Sequence, residues 1–264
     1  MNPTIPEKGG IEVRNLSFAY EPDSPVLRGL SFTARQGEII NILGPNGCGK
    51  STLLKSILGF LPVARGAVYI NGKDVRDSSR QRLARLLAYV PQSHHGAFQY
   101  SALEVVLMGR TISGSWYTVT DEDRDIARAA MEKTMTLRHA DKSYLQLSGG
   151  ERQLVLIARA LAQGADFFIM DEPVTGLDYG NQFRLLETIR QLAKDGLSFI
   201  LTTHHPEHAI FLGGRALLLK EGRLVADGAP DAVITSSCIC GLYNMPPALL
   251  KRVAGIYGGQ SWNG

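Results

Sequence analysis

The 264-residue sequence has few cysteines, little excess charge and no long hydrophobic run. Three cysteines are too few for a disulfide framework, and the pair Cys238 and Cys240 has no histidine or cysteine cluster beside it, so we expect no cysteine metal site. A net charge of +3 gives no reason to expect a nucleic-acid partner. No apolar stretch approaches the roughly 18 residues that a membrane-spanning helix needs, so a membrane role would require a partner chain.

The amino-terminal residues also lack the pattern of a secretory signal, because Pro3, Pro6 and two charged residues precede the first strand pattern. Together with the low cysteine content, this predicts a reducing, cytoplasmic location. The sequence shows no internal repeat and no low-complexity segment. Its length is sufficient for one large hydrophobic core with an attached subdomain.

The stretch around residue 45 carries the clearest chemical signal. An apolar run, Ile39–Leu43, has the length and branching of a buried strand, and it ends in the spacing G-x-x-x-x-G-K-S. This spacing predicts a phosphate-binding loop, although a glycine-rich turn before an ordinary helix is the plainer alternative. The nucleotide-binding residues that we predict here are Gly44, Pro45, Asn46, Gly47, Cys48, Gly49, Lys50, Ser51 and Thr52.

Each residue type in this loop has a physical role. We expect Gly44, Gly47 and Gly49 to adopt positive φ angles, which bring backbone N–H groups close to the phosphates at the start of the next helix. Lys50 would reach the β- and γ-phosphates, and the Ser51 hydroxyl would be a Mg²⁺ ligand.

Two later segments fit the same chemistry. Leu147–Gln153 reads L-S-G-G-E-R-Q, and its small residues with Ser148 predict a second anion-binding helix start, which a partner molecule in a two-fold dimer would use. A buried strand, Phe167–Met170, ends in Asp171 and Glu172. We predict that the first acid holds Mg²⁺ and that the second activates the attacking water, although two adjacent acids could simply begin a loop.

The surrounding patterns predict an α/β fold. Alternating apolar residues over Ile11–Tyr20 and Val26–Ala34 indicate an antiparallel pair, and Asn71-Gly72 indicates a hairpin. Tyr20 could stack on a base or pack on a neighbouring strand. From about residue 94 to 146 the pattern becomes helical. We therefore expect a P-loop NTPase core (10–95 and 158–230) with an antiparallel β subdomain, an inserted helical subdomain (96–157) and a helical tail (231–264).

With these motifs in place, the chain resembles the ATPase subunit of an ATP-binding cassette (ABC) transporter over roughly residues 11–245, and L-S-G-G-E-R-Q is the most specific match. The resemblance implies ATP and Mg²⁺ as cofactors, with Ser51, Gln92 and Asp171 at the metal. It also implies catalytic roles for Lys50, Gln92, Glu172 and the switch histidine His204, which is followed here by His205 where aspartate is common. The remaining nucleotide contacts that it implies are Tyr20 at the adenine, Asp178 across the dimer, and Ser148, Gly149 and Gly150 at the partner's γ-phosphate.

A finer resemblance concerns the segments R-L-A-R-L-L-A-Y-V-P-Q and A-L-E-V-V-L-M-G-R. They are similar to importer ATPases that serve iron siderophores, haem, cobalamin and some oxyanions. Such a complex joins an ATPase homodimer to two permeases at the cytoplasmic face of the membrane, and an extracytoplasmic binding protein delivers the substrate. An exporter or lipoprotein-release ATPase is the main alternative. A soluble ATPase acting on DNA or ribosomes, or a module without activity, fits the motifs less well.

Coupling to a permease predicts an accessible docking surface. Between Gln92 and the capped helix at Ser101 lies S-H-H-G-A-F-Q-Y, which includes Phe98 and Tyr100 outside any amphipathic repeat. We predict that this stretch, with the helix as far as Arg110, accepts a short permease helix. Alternatively, the two rings seal the helical subdomain.

Overall fold

The computed structural model describes residues 9–92, 99–112 and 119–256. In chain order its strands are β1 (Gly10–Ala19), β2 (Pro25–Arg35), β3 (Ile39–Leu43), β4 (Val68–Ile70), β5 (Lys73–Asp74), β6 (Leu87–Val90), β7 (Phe167–Met170), β8 (Ser198–Thr203), β9 (Arg215–Lys220) and β10 (Arg223–Gly228). Its α-helices are α1 (Lys50–Ile57), α2 (Arg80–Leu86), α3 (Ala102–Leu107), α4 (Asp121–Lys133), α5 (Gly149–Gln163), α6 (Tyr179–Lys194), α7 (Pro206–Leu212), α8 (Pro230–Val233), α9 (Ser236–Tyr243) and α10 (Pro247–Ile256).

A six-stranded sheet, in the order β10-β9-β3-β8-β7-β6, lies at the centre of the molecule. All its strands are parallel except β10, which pairs antiparallel with β9. Every residue of β3, β7 and β8 after Ile39 is buried, as expected for parallel strands that are covered on both faces. Because Leu43 pairs with Thr203 and Met170 with Leu201, the three strands end at one edge of the sheet, where ligands bind in open α/β folds.

A second sheet, in the order β2-β1-β4-β5, is antiparallel and confirms the pairing predicted from the alternating pattern. The predicted hairpin joins β4 to β5 through Asn71 and Gly72, whose φ angles of 48° and 75° match the primed turn that this dipeptide favours. The apolar face of this sheet packs on α1 and on one face of the central sheet.

The helices α3, α4 and α5 pack against one another and against the opposite face of the central sheet. Ser101 and Thr120 cap α3 and α4 through reciprocal bonds with Glu104 and Asp123, so the cap predicted at Ser101 is confirmed. Each cap satisfies backbone donors that the first turn of a helix leaves unpaired.

The carboxyl-terminal helices pack on the central sheet at β3 and β9. Ile239 and Leu242 of α9 are buried in a cluster with Leu43 of β3 and Leu218 of β9. This packing brings α9 behind the strand that leads into the predicted phosphate loop. Among the described residues, no helix combines the length and the hydropathy needed to cross a bilayer.

Candidate functional site

The loop between β3 and α1 has the backbone geometry of an anion cradle. Gly47 and Gly49 have φ angles of 79° and 108°, which side chains rarely allow. The prediction was wrong for Gly44, which is not among the positive-φ residues. Its glycine is required for space instead, because a Cβ there would lie 2.3 Å from the carbonyl oxygen of Leu219.

The turn between β9 and β10 forms a hydrogen bond with this loop. The N–H of Gly222 donates to the carbonyl oxygen of Cys48 (3.1 Å), and the N–H of Arg28 donates to the carbonyl oxygen of Gly222 (2.8 Å). A Cβ at Gly222 would lie 2.2 Å from the carbonyl oxygen of Val26, so the turn fits closely between the loop and β2. The loop is therefore held by a segment more than 170 residues away in sequence.

Lys50 is the buried cation of the site, with 5% of its surface exposed. Its Nζ donates to the carbonyl oxygens of Gly44 (2.8 Å) and Pro45 (3.2 Å) and lies 3.3 Å from Oε1 of Glu172. The two carbonyl oxygens of the loop thus fix the position of the ammonium group. This is the placement expected of a group that contacts phosphates.

Glu172 is held by an unusual backbone conformation and a buried hydroxyl. Its φ of 44° lies in the left-handed region, which is rare for a non-glycine residue, and its N–H donates to Oγ1 of Thr202 (2.8 Å). The Thr202 hydroxyl in turn donates to Oδ1 of Asp171 (2.8 Å), and the Asp171 side chain is buried. Sequence reasoning did not identify Thr202, and only its place at the end of the neighbouring strand could have suggested it.

Besides Lys50, three groups approach the Glu172 carboxylate, and one of them is the Thr175 hydroxyl, which donates to Oε2 (3.1 Å). Nδ1 of His204 lies 3.2 Å from Oε2, and Nε2 of Gln92 lies 3.5 Å from the same oxygen. Burial raises the pKa of Glu172, but the Lys50 ammonium and His204 together outweigh burial and hold that pKa below its usual value. Glu172 is therefore ionised at neutral pH and able to accept a proton.

A cavity of about 340 Å³ lies above this cluster. It is lined by Val26, Asn46, Gly47, Gly49, Lys50, Ser51, Thr52, Gln92 and Glu172. Tyr20 stands beside the loop with 59% of its surface exposed, and its hydroxyl lies 3.4 Å from Oγ1 of Thr52. Its ring packs edge-on against Phe18 with centroids 5.0 Å apart, so the strand contact and an exposed ring face coexist.

The predicted ligands Ser51, Gln92 and Asp171 offer hydroxyl, amide and carboxylate oxygens, which suit Mg²⁺, a hard cation that prefers oxygen ligands. Ser51 and Gln92 both line the cavity, whereas Asp171 is not among its lining residues and accepts a hydrogen bond from the Thr202 hydroxyl. The fit therefore rests on hydroxyl, amide and carboxylate oxygens at one strand edge.

The segment L-S-G-G-E-R-Q does not reach this cavity within the chain. Ser148 and Gly150 line a separate cleft of about 890 Å³ between α5 and α6. Ser148 caps α5, and both its N–H (2.8 Å) and its hydroxyl (2.9 Å) donate to Oε2 of Glu151. This helix start is thus capped by a carboxylate of its own chain.

Asp178 and the adjacent histidines take distinct positions. Asp178 caps α6 by accepting from the N–H of Asn181 (2.9 Å), and the Cγ of Asn181 would lie 3.6 Å from a Cβ at Gly150. This places Asp178 near the second helix start. His204 faces Glu172, whereas His205 occupies the N-cap position of α7 without a side-chain capping bond, and its Nδ1 lies 3.2 Å from Oε1 of Glu207. Pro206 begins α7, a position at which the missing N–H of proline costs no helical hydrogen bond.

The predicted docking stretch is only partly described. Phe98 lies outside the described residues, and Tyr100 is 40% exposed, while its carbonyl oxygen accepts from the N–H of Tyr144 (2.8 Å). The expectation for the two rings stays a prediction.

Comparisons with known proteins match this geometry. Residues 27–175 match the family model described as ABC transporter. An uncharacterised ABC transporter ATP-binding protein of Haemophilus influenzae is 41% identical over 92% of this chain and 92% of its own length. The hemin import ATP-binding protein HmuV of Hahella chejuensis is 38% identical over 86% of this chain and 90% of its own length.

A solved structure of an ABC transporter component is also similar to this chain. The structure of cbiO1 from Clostridium perfringens, part of the ABC transporter complex cbiONQ, superposes with a TM-score of 0.79 at 26% identity. The match covers 95% of this chain and 99% of that one.

Proposed function

The chain belongs to the ABC transporter family and is an ABC-type ATPase, and from that premise we propose that it powers a membrane importer. The observation that carries the proposal is the cluster at the phosphate loop, where Lys50, His204 and Gln92 surround an ionised Glu172. A binding module without activity would not need a carboxylate held in this way. Kinship with a hemin import protein supports import over the exporter alternative.

The roles of the residues follow from their positions. The loop amides and Lys50 would hold the β- and γ-phosphates, and Tyr20 would stack on the adenine through its exposed face. Glu172 would polarise an in-line water and accept its proton, with His204 beside it contacting the γ-phosphate. Ser51, Gln92 and Asp171 would hold Mg²⁺, which neutralises charge on the phosphate oxygens when bound.

One chain supplies only half of each site in this proposal. The helix start at Ser148 lies in a cleft apart from the Lys50 cavity, so its contacts to a γ-phosphate must reach a second copy of the chain. Two chains would then enclose two nucleotides, with Ser148, Gly149 and Gly150 at the partner's phosphate and Asp178 beside them. Hydrolysis would remove the bridging contacts and open the dimer.

The partners that we propose are two permeases, which place the ATPase at the cytoplasmic face of the membrane, and a binding protein that acts through them. An apolar groove of about 430 Å³ supports docking of a permease helix. It includes Phe60, 61% exposed and edge-on to Tyr89 at 6.0 Å, and Met108, which lies within the predicted docking region. The substrate that we propose is haem, an iron siderophore, cobalamin or a related metal compound.

The division into subdomains is part of the same proposal. We assign 10–95 and 158–230 to the nucleotide-binding core with its β subdomain, 96–157 to the helical subdomain and 231–264 to the tail. Mutual packing of α3, α4 and α5 supports the helical unit. The boundary at residue 157 falls within the continuous helix α5, which would connect the motions of the two units.

Glu172→Gln tests the proposal directly. The variant should bind Mg²⁺-ATP, lose turnover by roughly a hundredfold or more, and form an ATP-dependent homodimer, because the γ-phosphate that bridges the chains is never cleaved. Turnover and light scattering with Mg²⁺-ATP provide the measurement, and Glu132→Gln on the exposed side of α4 is the matched control. A monomer with wild-type turnover would remove both the base assignment and the two-chain site.

A further inference from the structure

The switch histidine is held from behind by the carboxyl-terminal part of the chain. The hydroxyl of Tyr243, the last residue of α9, donates to the carbonyl oxygen of His204 at 2.7 Å. On its other side, the His204 ring lies 3.2 Å from the Glu172 carboxylate. The peptide of His204 therefore lies between a tail residue and the proposed catalytic base.

The helix that carries Tyr243 is itself firmly attached. Lys220, at the end of β9, donates from Nζ to the carbonyl oxygen of Gly241 (2.6 Å) and to Oδ1 of Asn244 (2.8 Å). Asn244 ends α9 in the left-handed conformation that commonly terminates helices. With Ile239 and Leu242 buried, these bonds fix the phenol relative to the central sheet.

The Tyr243 hydroxyl can donate its hydrogen bond at every pH at which the protein is studied. Burial raises the pKa of Tyr243, so its hydroxyl keeps its proton throughout the working pH range. The same peptide unit is also held at its N–H, because the N–H of His205 donates to Oγ1 of Thr203 (3.1 Å). Tyr243 and Thr203 thus fix the backbone on the two sides of one peptide unit, which limits where the His204 ring can point.

We propose that Tyr243 is a positioning residue for His204, through which helix α9 sets the geometry of the switch histidine during ATP hydrolysis. This inference rests on the proposed ATPase function. Tyr243 is not among the residues that line the cavity, so its effect should fall on turnover and leave nucleotide binding unchanged.

The first test is Tyr243→Phe, which removes the hydroxyl and keeps the ring. We expect kcat of the purified protein to fall roughly fivefold, as for one lost hydrogen bond, with KM for ATP within about twofold of wild type. Tyr69→Phe, in the antiparallel sheet, removes a hydroxyl away from the site and should change neither value. In a His204→Ala background, Tyr243→Phe should cost nothing further, because the residue through which it acts has been removed.

A second measurement does not depend on hydrolysis. The ring resonances of His204 in nuclear magnetic resonance spectra should shift in Tyr243→Phe and stay in place in Tyr69→Phe. Unchanged His204 resonances, or an equal loss of kcat with and without the His204 side chain, would overturn the inference. If the wild-type protein hydrolysed no ATP, the proposed function would fail, while the resonances would still decide whether Tyr243 positions His204.

Discussion

The two helix starts that contain the phosphate-loop and L-S-G-G-E-R-Q motifs are built differently. At α1, the N-cap is Gly49, which has no side chain to accept from the helix, and the first residues of the helix line a cavity together with Gly49. At α5, Ser148 and Glu151 form a capping box, so part of the helix end is already satisfied by the chain itself.

The difference indicates how the two ends would divide the binding of one anion. The first end has the buried Lys50 ammonium beside it, so we propose that it holds a nucleotide without a partner. The second end has a carboxylate of its own at the cap, which opposes binding of a free anion in an open cleft. We therefore propose that the helix start at Ser148 contacts a phosphate only when a second chain already holds that phosphate, as in the proposed dimer.

Removing the defining group from each end separates these roles and should give the largest effects. Lys50→Ala should abolish measurable hydrolysis and weaken ATP binding to the single chain, because the buried ammonium is the main positive charge at the phosphates. Ser148→Ala should leave ATP binding to the single chain unchanged and prevent the ATP-dependent dimer in the Glu172→Gln background. Equilibrium nucleotide binding and light scattering measure the two outcomes.

Loss of the helix cap itself must be controlled. Ser101→Ala removes an equivalent Ser-x-x-Glu capping box from α3, with the same expected cost of about 1 kcal/mol to the helix, but away from the phosphate. If Ser101→Ala prevents the dimer as fully as Ser148→Ala does, the effect belongs to stability and the contrast between the two ends disappears.

The pH dependence of the free energy of unfolding tests the environment of the buried His208. Burial is the main cause that lowers the pKa of His208 from 6.5 to about 4. His205 and His204 lower this pKa further, and Glu207 partly opposes them. Since the folded protein favours the neutral ring, His208 stabilises the fold fully above pH 6.5 and loses that contribution as the pH falls towards 4. Between pH 7 and pH 5 this loss amounts to about 2 kcal/mol.

Urea unfolding at the two pH values is the measurement. The wild-type free energy of unfolding should fall by about that much more than that of His208→Gln, whose side chain does not titrate. Parallel losses in the two proteins would show that His208 is protonated in the folded state.

The smallest effects are expected at the two adjacent histidines. His204→Ala should cost roughly tenfold in ATPase rate, about 1.4 kcal/mol of barrier, because His204 faces Glu172. His205→Ala should cost much less, because His205 pairs with exposed Glu207 on α7. Steady-state turnover of both variants decides the matter, and the opposite ranking would move the switch by one residue.

Local signals predicted much of this structure. Asn71-Gly72 fixed a hairpin through its turn chemistry, and Ser101-x-x-Glu104 identified a helix start through its caps. The phosphate loop was also evident, although Gly44 is required by its contact with Leu219, which no local pattern could reveal.

Contacts between distant segments were beyond sequence reasoning. Thr202 joins Asp171 and Glu172 only because β7 and β8 are neighbours in register, and Tyr243 reaches His204 only because α9 packs beside β9. Positions of this kind depend on strand order and on the packing of the tail, and neither leaves a periodic trace in the residues involved.

The turn at Gly222 also bears on where the chain could accept foreign sequence. Tips of hairpins usually tolerate inserted tags or reporter domains. Here the turn between β9 and β10 donates to Cys48 and leaves no room for even one Cβ beside Val26. An epitope placed at Glu221-Gly222 would therefore distort the phosphate loop, whereas Gly196, with open space around its Cβ position, is the better place for a fusion.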